Sequence, residues 1–155
     1  MPRLTASAQR HRALQRLAKP QSGVFSRTQA LAAGWSDDEV AAQVAAQRWR
    51  RLHPGVYYLS NGALTRDAVR WAALLWAGPG AVLSHESAAE CHGLAAAATT
   101  TAPVTVLIPW ERRSGRCPGI VVRRRRQLEH HTRLSSPPTT RVEHTVLDLA
   151  SDAST

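Results

Sequence analysis

From Ser7 to Ala18 the apolar residues Ala13, Leu14, Leu17 and Ala18 fall on one helical face and Arg10, Arg12, Gln15 and Arg16 fall elsewhere, which predicts a basic amphipathic helix. Lys19-Pro20-Gln21-Ser22-Gly23 ends it, because Pro20 cannot continue the hydrogen-bond ladder and Gly23 supplies turn conformations. Ser26 then caps a short helix from Arg27 to Ala33 that stops at Gly34. Ser36 caps a second one. Asp37, Asp38 and Glu39 crowd its first turn, where negative charge complements the exposed amides, and Glu39 completes a capping box with Ser36. Val40 and Val44 face inward one turn apart, and the helix is expected to continue to Gln47 or Arg48.

Two short helices joined by a Gly-containing turn form the helix-turn-helix pattern. Trp49 to Leu52 and Val56 to Leu59 read as two β segments around His53-Pro54-Gly55, a basic hairpin, so the predicted unit is a winged helix. Beyond it, Ala68, Val69, Ala72, Leu75 and Trp76 predict a helix over 65–77, and Ser84 and Gly93 bracket another over 84–92. Ala95 to Thr101 is a low-complexity loop. Strands are expected near 104–109 and 119–124, paired in a small sheet, followed by a last helix over 140–151 capped by Thr140 with Val142, Val146, Leu147 and Leu149 as its apolar positions. The fold class is therefore α+β: a winged helix-turn-helix at residues 1–62, then a small α/β domain at residues 63–155 with a short β-sheet.

A chain of 155 residues fits one domain or a small module fused to a second, and 43 % apolar content is ordinary for a globular protein. The formal charge of +9 changes the picture more, because residues 1–60 carry +6 and residues 111–155 carry +4 while the middle is −1. Two basic blocks favour polyanions. A genome-wide preference for Arg and Ala accounts for the same total, so placement matters more than sum. Arg123 to Arg126 is the densest run, and on a strand it must project to both faces; it reads as a strand end in solvent or, alternatively, a surface for an acidic partner.

Two cysteines are too few for a disulfide framework, no signal peptide or membrane span is recognisable, and a cytoplasmic protein is expected. No Cys-x-x-Cys or His-x-x-x-His pair suggests a metal site, and no cofactor is expected. Ser84-His85-Glu86-Ser87 has the residue types of a hydrolytic triad, but neighbours on a helix point apart, so neither a relay nor any enzyme activity is expected. With a single Lys, at position 19, an Asp plus Glu-x-Lys nuclease core is excluded as well.

Gly23-Val-Phe-Ser-Arg-Thr-Gln-Ala-Leu31, Trp49-Arg-Arg-Leu-His-Pro-Gly-Val-Tyr57, Leu83-Ser-His-Glu-Ser-Ala-Ala89, His92-Gly-Leu94, Val104-Thr-Val106 and Thr140 through Thr145-Val-Leu-Asp-Leu-Ala150 resemble the AbiEi family of winged-helix antitoxins. The Arg-Arg-Leu-His-Pro-Gly-Val-Tyr string is the most specific of these. The resemblance implies an N-terminal DNA-binding module that autorepresses a type IV toxin-antitoxin operon through double-stranded DNA of its own promoter. It also implies a second domain for neutralising a nucleotidyltransferase-type toxin or for assembly, with monomer and dimer both open. Similar N-terminal halves occur in longer Vsr-like endonuclease-fold proteins, which makes a recognition or interaction module of such a protein the alternative.

For DNA, the candidate contacts divide into those that position and those that read. Arg27, Thr28 and Gln29 start the helix that would cross the backbone, with Ser36 at the start of the next. Gln43 and Gln47, taken as the outer face of the second helix, suit adenine edges in the major groove. Arg48, Arg50 and Arg51 lead into the wing and His53 lies at its tip. The helix Asp37 to Gln47 is nearly neutral with three acids at its start, so affinity is expected to rest on the wing and the first helix.

Overall fold

Thr5 opens α1 (Ala6–Ala18) by accepting a hydrogen bond from the Ala8 amide at 3.2 Å; the computed structural model describes residues 5–155. Leu14 and Ala18, one turn apart, are the buried positions of α1, and Ala13 faces solvent. A short 3₁₀ turn at Lys19–Gln21 leads to β1 (Val24–Ser26), whose last residue caps α2 (Arg27–Ala32). After a turn at Gly34 comes α3 (Asp37–Ala45). Both helices start in capping boxes, Ser26 with Gln29 and Ser36 with Glu39.

β2 (Arg50–His53) and β3 (Val56–Tyr58) form an antiparallel hairpin, and β1 pairs with the other edge of β3, giving the order β1-β3-β2. The strand before the helix pair thus closes the sheet behind it, which is winged helix-turn-helix topology. Its core is aromatic: Trp49 lies 4.7 Å from Trp35 and 5.2 Å from Phe25, with Leu14, Ala18, Ala30 and Val40 around them.

Thr65 caps α4 (Arg66–Ala77), which is buried on nearly every side because it lies between two sheets. Ala68 and Ala72 meet Val24 and Val56 of the wing sheet, while Ala73, Leu74 and Ala77 meet Val104, Val106 and Ile108 of the second. That second sheet contains β4 (Val82–Leu83), β5 (Val104–Pro109), β6 (Ile120–Arg125), β7 (Thr132–Arg133) and β8 (Thr139–Thr140) in the order β6-β5-β4-β8-β7. α5 (His85–Cys91) and α6 (Val142–Ala153) complete the chain.

The mixed α+β architecture agrees with the expectation; three details correct it and one, a strand direction, settles what the pattern left open. The sheet has five strands rather than two, because β4, β7 and β8 are two-residue strands with no periodicity to read. β5 and β6 run parallel, Val104 against Ile120 through Pro109 against Arg125, with residues 110–119 returning without a helix. Thr140 does not cap the last helix: it belongs to β8, and its hydroxyl lies 2.7 Å from that of Thr145.

The third correction concerns the face of α6. Thr145 and Asp148 are its buried positions, whereas Val142 (41 %), Val146 (49 %) and Leu147 (61 %) are exposed. Charge on β6 decides this. Arg125 donates to Asp148 at 2.5 and 3.2 Å and Arg123 to Asp152 at 2.9 and 3.0 Å, so the acidic side of α6 turns inward. Arg123 and Arg125 are thus paired against a packed helix rather than ending in solvent.

Candidate nucleic-acid interface

The local sequence determines how α3 is presented. Ser36 accepts from the Glu39 amide at 3.2 Å and Glu39 accepts from the Ser36 amide at 3.0 Å, so the Ser36 hydroxyl is occupied by capping. Arg27 forms a two-pronged pair with Asp37, both contacts at 2.7 Å, and Arg10 donates to Glu39 at 2.7 Å and to Gly34 O at 3.0 Å. Each carboxyl is held below its ordinary value chiefly by that arginine hydrogen bond. Two of the three acids at the start of α3 are therefore neutralised, and Asp38 is the one among the described residues without an arginine partner. The role of Arg10 was invisible from periodicity; its guanidinium also lies 5.1 Å from the Trp35 ring.

The sequence candidates scatter into three groups. Thr28, Arg48 and Arg51 are exposed, and Gln43 and Arg50 are half-buried on α3 and β2. Gln29 is committed to structure: its Oε1 accepts from the Ser26 amide at 2.9 Å, and its amide pairs both ways with Gln21 at 3.0 and 3.1 Å. Gln47 and His53 lie elsewhere than expected. α3 ends at Ala45, and Gln47 sits beyond it with φ +56°, because Arg48 and Trp49 amides fold back to the Gln43 carbonyl. The His53 ring turns away from the hairpin tip, and its Nδ1 lies 3.2 Å from Cys117 Sγ in the segment between β5 and β6. Burial lowers the His53 pKa and raises that of Cys117.

Two polar clusters occupy the second half. Glu90, on α5, accepts from Arg66 and Arg70 of α4, and the Nε of Arg70 is the one buried side-chain nitrogen or oxygen without a partner among the described residues. His85 has φ +51°, a left-handed backbone that swings its Nδ1 to 2.9 Å from the Ser84 hydroxyl and its Nε2 to 3.2 Å from Arg123 and 3.7 Å from Asp152. The expectation that Ser84 and His85 point apart is thereby corrected. Ser84 is completely buried, out of a substrate's reach. Among the described residues, no group of three or more His, Cys, Asp or Glu is placed to hold a metal, and no helix is long and apolar enough to cross a membrane.

Burial, followed by the charge of Arg123, lowers the His85 pKa, with Asp148, Asp152 and Glu86 opposing. A folded value below the unfolded one means stability is complete above about pH 6.5 and is lost as the pH falls through the folded value. The midpoint of thermal unfolding should therefore decline as pH is lowered from 7 to 5, with a shallower slope in His85→Gln. An identical slope in both would assign the decline to other groups.

An α+β protein with an N-terminal winged helix-turn-helix is the class that these features define. Residues 12–60, roughly a third of the chain, match the family described as transcriptional regulator, AbiEi antitoxin. That span runs from α1 to the end of the wing hairpin. No curated protein matches the chain at a significant level.

Proposed function

We propose that this chain is a DNA-binding transcriptional regulator of the cytoplasm, the antitoxin of a type IV toxin-antitoxin system, which represses its own operon. Residues 1–62 bind double-stranded promoter DNA and residues 63–155 engage a nucleotidyltransferase-type toxin. The observation that carries the reading is the α2–α3 pair backed by the β1-β3-β2 wing, lying within the stretch that matches a family of regulators. The exposed apolar residues of α6, with Leu134 at 96 % exposure, support a protein partner for the second module.

In this reading Arg48, Arg50 and Arg51 contact phosphates, Thr28 and Ser36 approach the backbone, and Gln43 reads a base edge. Arg27 orders α3 through Asp37, Gln29 holds the α2 cap, and neither Gln47 nor His53 reads bases. The test is a binding titration with the duplex upstream of the chain's own gene against a scrambled duplex of equal length. Preference for the promoter should reach about 10³ or more at physiological salt. Equal affinity for both would overturn sequence-specific regulation. Arg48→Ala with Arg51→Ala should weaken both duplexes and reduce the salt slope by about one to two, whereas Gln43→Ala should cost about 1–3 kcal/mol on the promoter alone.

A further inference from the structure

Where α4 passes between the two sheets it carries Ala72 and Ala73, whose single methyl groups leave space that the sheets do not close. A partly open cavity of about 190 Å³ results. Leu52 and His53 of β2 supply one wall and Val104 and Ile120 of the second sheet supply another, so the wing and the second sheet share the space. Thr100 and Thr101, both exposed, mark its mouth.

The walls are held in place by bonds that no ligand has to form. Arg66 donates to the Ala102 and Pro103 carbonyls at 2.7 and 3.2 Å, which fixes the segment before β5. In the turn before β6 the Ile120 amide donates to the Cys117 carbonyl at 3.1 Å, and this turn carries the Cys117 Sγ that meets His53 Nδ1 at 3.2 Å. The cavity is therefore preformed.

Its chemistry selects the ligand. No Asp, Glu, Lys or Arg lines it, so an ion entering would lose hydration without gaining a counter-charge. A neutral molecule fits better. Burial disfavours the imidazolium form of His53, and Cys117 occupies its Nδ1. Nε2 makes no hydrogen bond among the described residues and is not one of the buried orphaned atoms, so it is accessible. If the thiol donates to Nδ1, Nε2 carries the proton and donates; if Nδ1–H donates to sulfur, Nε2 accepts. A hydroxyl serves either tautomer. For size, an apolar cavity of roughly 150 Å³ takes up benzene, so this one suits a single ring with a small substituent.

We infer that the cavity between β2, α4 and the second sheet binds a small neutral phenol, with the ring between Leu52, Val69 and Ile120 and the hydroxyl on His53 Nε2. Because β2 belongs to the wing hairpin, the ligand joins the wing to the second sheet.

The probes are 4-methylphenol and toluene, titrated into the full chain and followed by nuclear magnetic resonance of the Leu52, Val69, Val104 and Ile120 methyl groups. The phenol should shift them saturably with a Kd of about 1 mM or below. Val69→Phe and, separately, Ala102→Leu fill the space and should weaken both compounds by about 10-fold or more, whereas Leu134→Ala, at a distant exposed position, should change neither. His53→Leu should weaken 4-methylphenol by about 10-fold and leave toluene within about 3-fold, because only the phenol loses a hydrogen-bond partner. Circular dichroism verifies that each variant folds. Absence of a saturable shift in the unaltered protein would overturn the inference, as would an unchanged Kd in both filled variants. Equal effects of His53→Leu on the two compounds would overturn the assignment of the hydroxyl to His53. The assay contains no DNA, so its outcome is independent of the DNA-binding reading.

Discussion

Replacing Glu90 by alanine is expected to cost about 3–5 kcal/mol of stability, the scale for removing one partner of a buried ion pair. The Glu90 side chain is 3 % exposed and those of Arg66 and Arg70 are 8 % and 9 % exposed. Its Oε1 accepts from Arg66 at 3.0 Å, and its Oε2 accepts from Arg66 at 3.1 Å and Arg70 at 2.5 Å. Arg66 would keep the Ala102 and Pro103 carbonyls, at 2.7 and 3.2 Å, and Arg70 would keep Asp67. The two carbonyls leave the buried Arg66 guanidinium without a counter-charge, while Arg70 keeps one from the exposed Asp67. For a domain whose net stability is about 5–15 kcal/mol, such a loss is a large share of the whole.

Burial alone would raise the Glu90 pKa, but hydrogen bonding from Arg66 and the charges of Arg66 and Arg70 outweigh it and leave the value lowered. The stabilisation is therefore present above the ordinary glutamate value of 4.5 and is lost as pH falls through the folded value. Urea unfolding followed by circular dichroism measures both effects. A loss under about 1 kcal/mol in Glu90→Ala would mean that water reaches the two arginines once the carboxylate is gone. Replacing all three residues with apolar ones of similar volume should recover most of the stability.

The winged helix was readable because each of its signals is local. Ser26 and Ser36 cap through residues three positions away, and Gly34 takes φ +89° between the two helices, so the pattern could be recognised in short windows. What escaped reading depends on distant partners. Gln29 looks like a polar surface residue until Gln21 is placed beside it, and His53 looks like a hairpin tip until Cys117 approaches from 64 residues away. The face of α6 was misjudged for the same reason. Val146 and Leu147 satisfy helical periodicity, but Arg123 and Arg125 arrive from another strand and require carboxylates opposite them. The direction of β6 relative to β5 is likewise set by tertiary contact, since hydrophobic alternation is the same for parallel and antiparallel strands. The four-arginine run was correctly expected to split between two faces because alternation is a local rule.

A chain ending at Leu94 should lose its cooperative fold around α4 while keeping the winged-helix core. The truncation removes β5, β6 and β8, and with them the Val104, Val106 and Ile108 side chains that cover Ala73, Leu74 and Ala77. Val69 and Trp76, which pack at the margin of that cluster, lose cover as well. Exposing several large side chains at about 1.5–3 kcal/mol each outweighs what one helix retains against the wing sheet, so aggregation or an unfolding midpoint lower by tens of degrees is expected. Arg66 would also lose the Ala102 and Pro103 carbonyls, leaving it more dependent on Glu90 in a helix with little left to hold it. The Trp35, Trp49 and Phe25 contacts are made wholly within residues 24–60 and should preserve a near-ultraviolet circular dichroism signal. In cells carrying a cognate toxin, the truncated chain should give no protection, whereas promoter binding by its winged helix should remain measurable. Protection by the truncated chain would overturn the assignment of the toxin to the second module, because the α6 surface would then be dispensable.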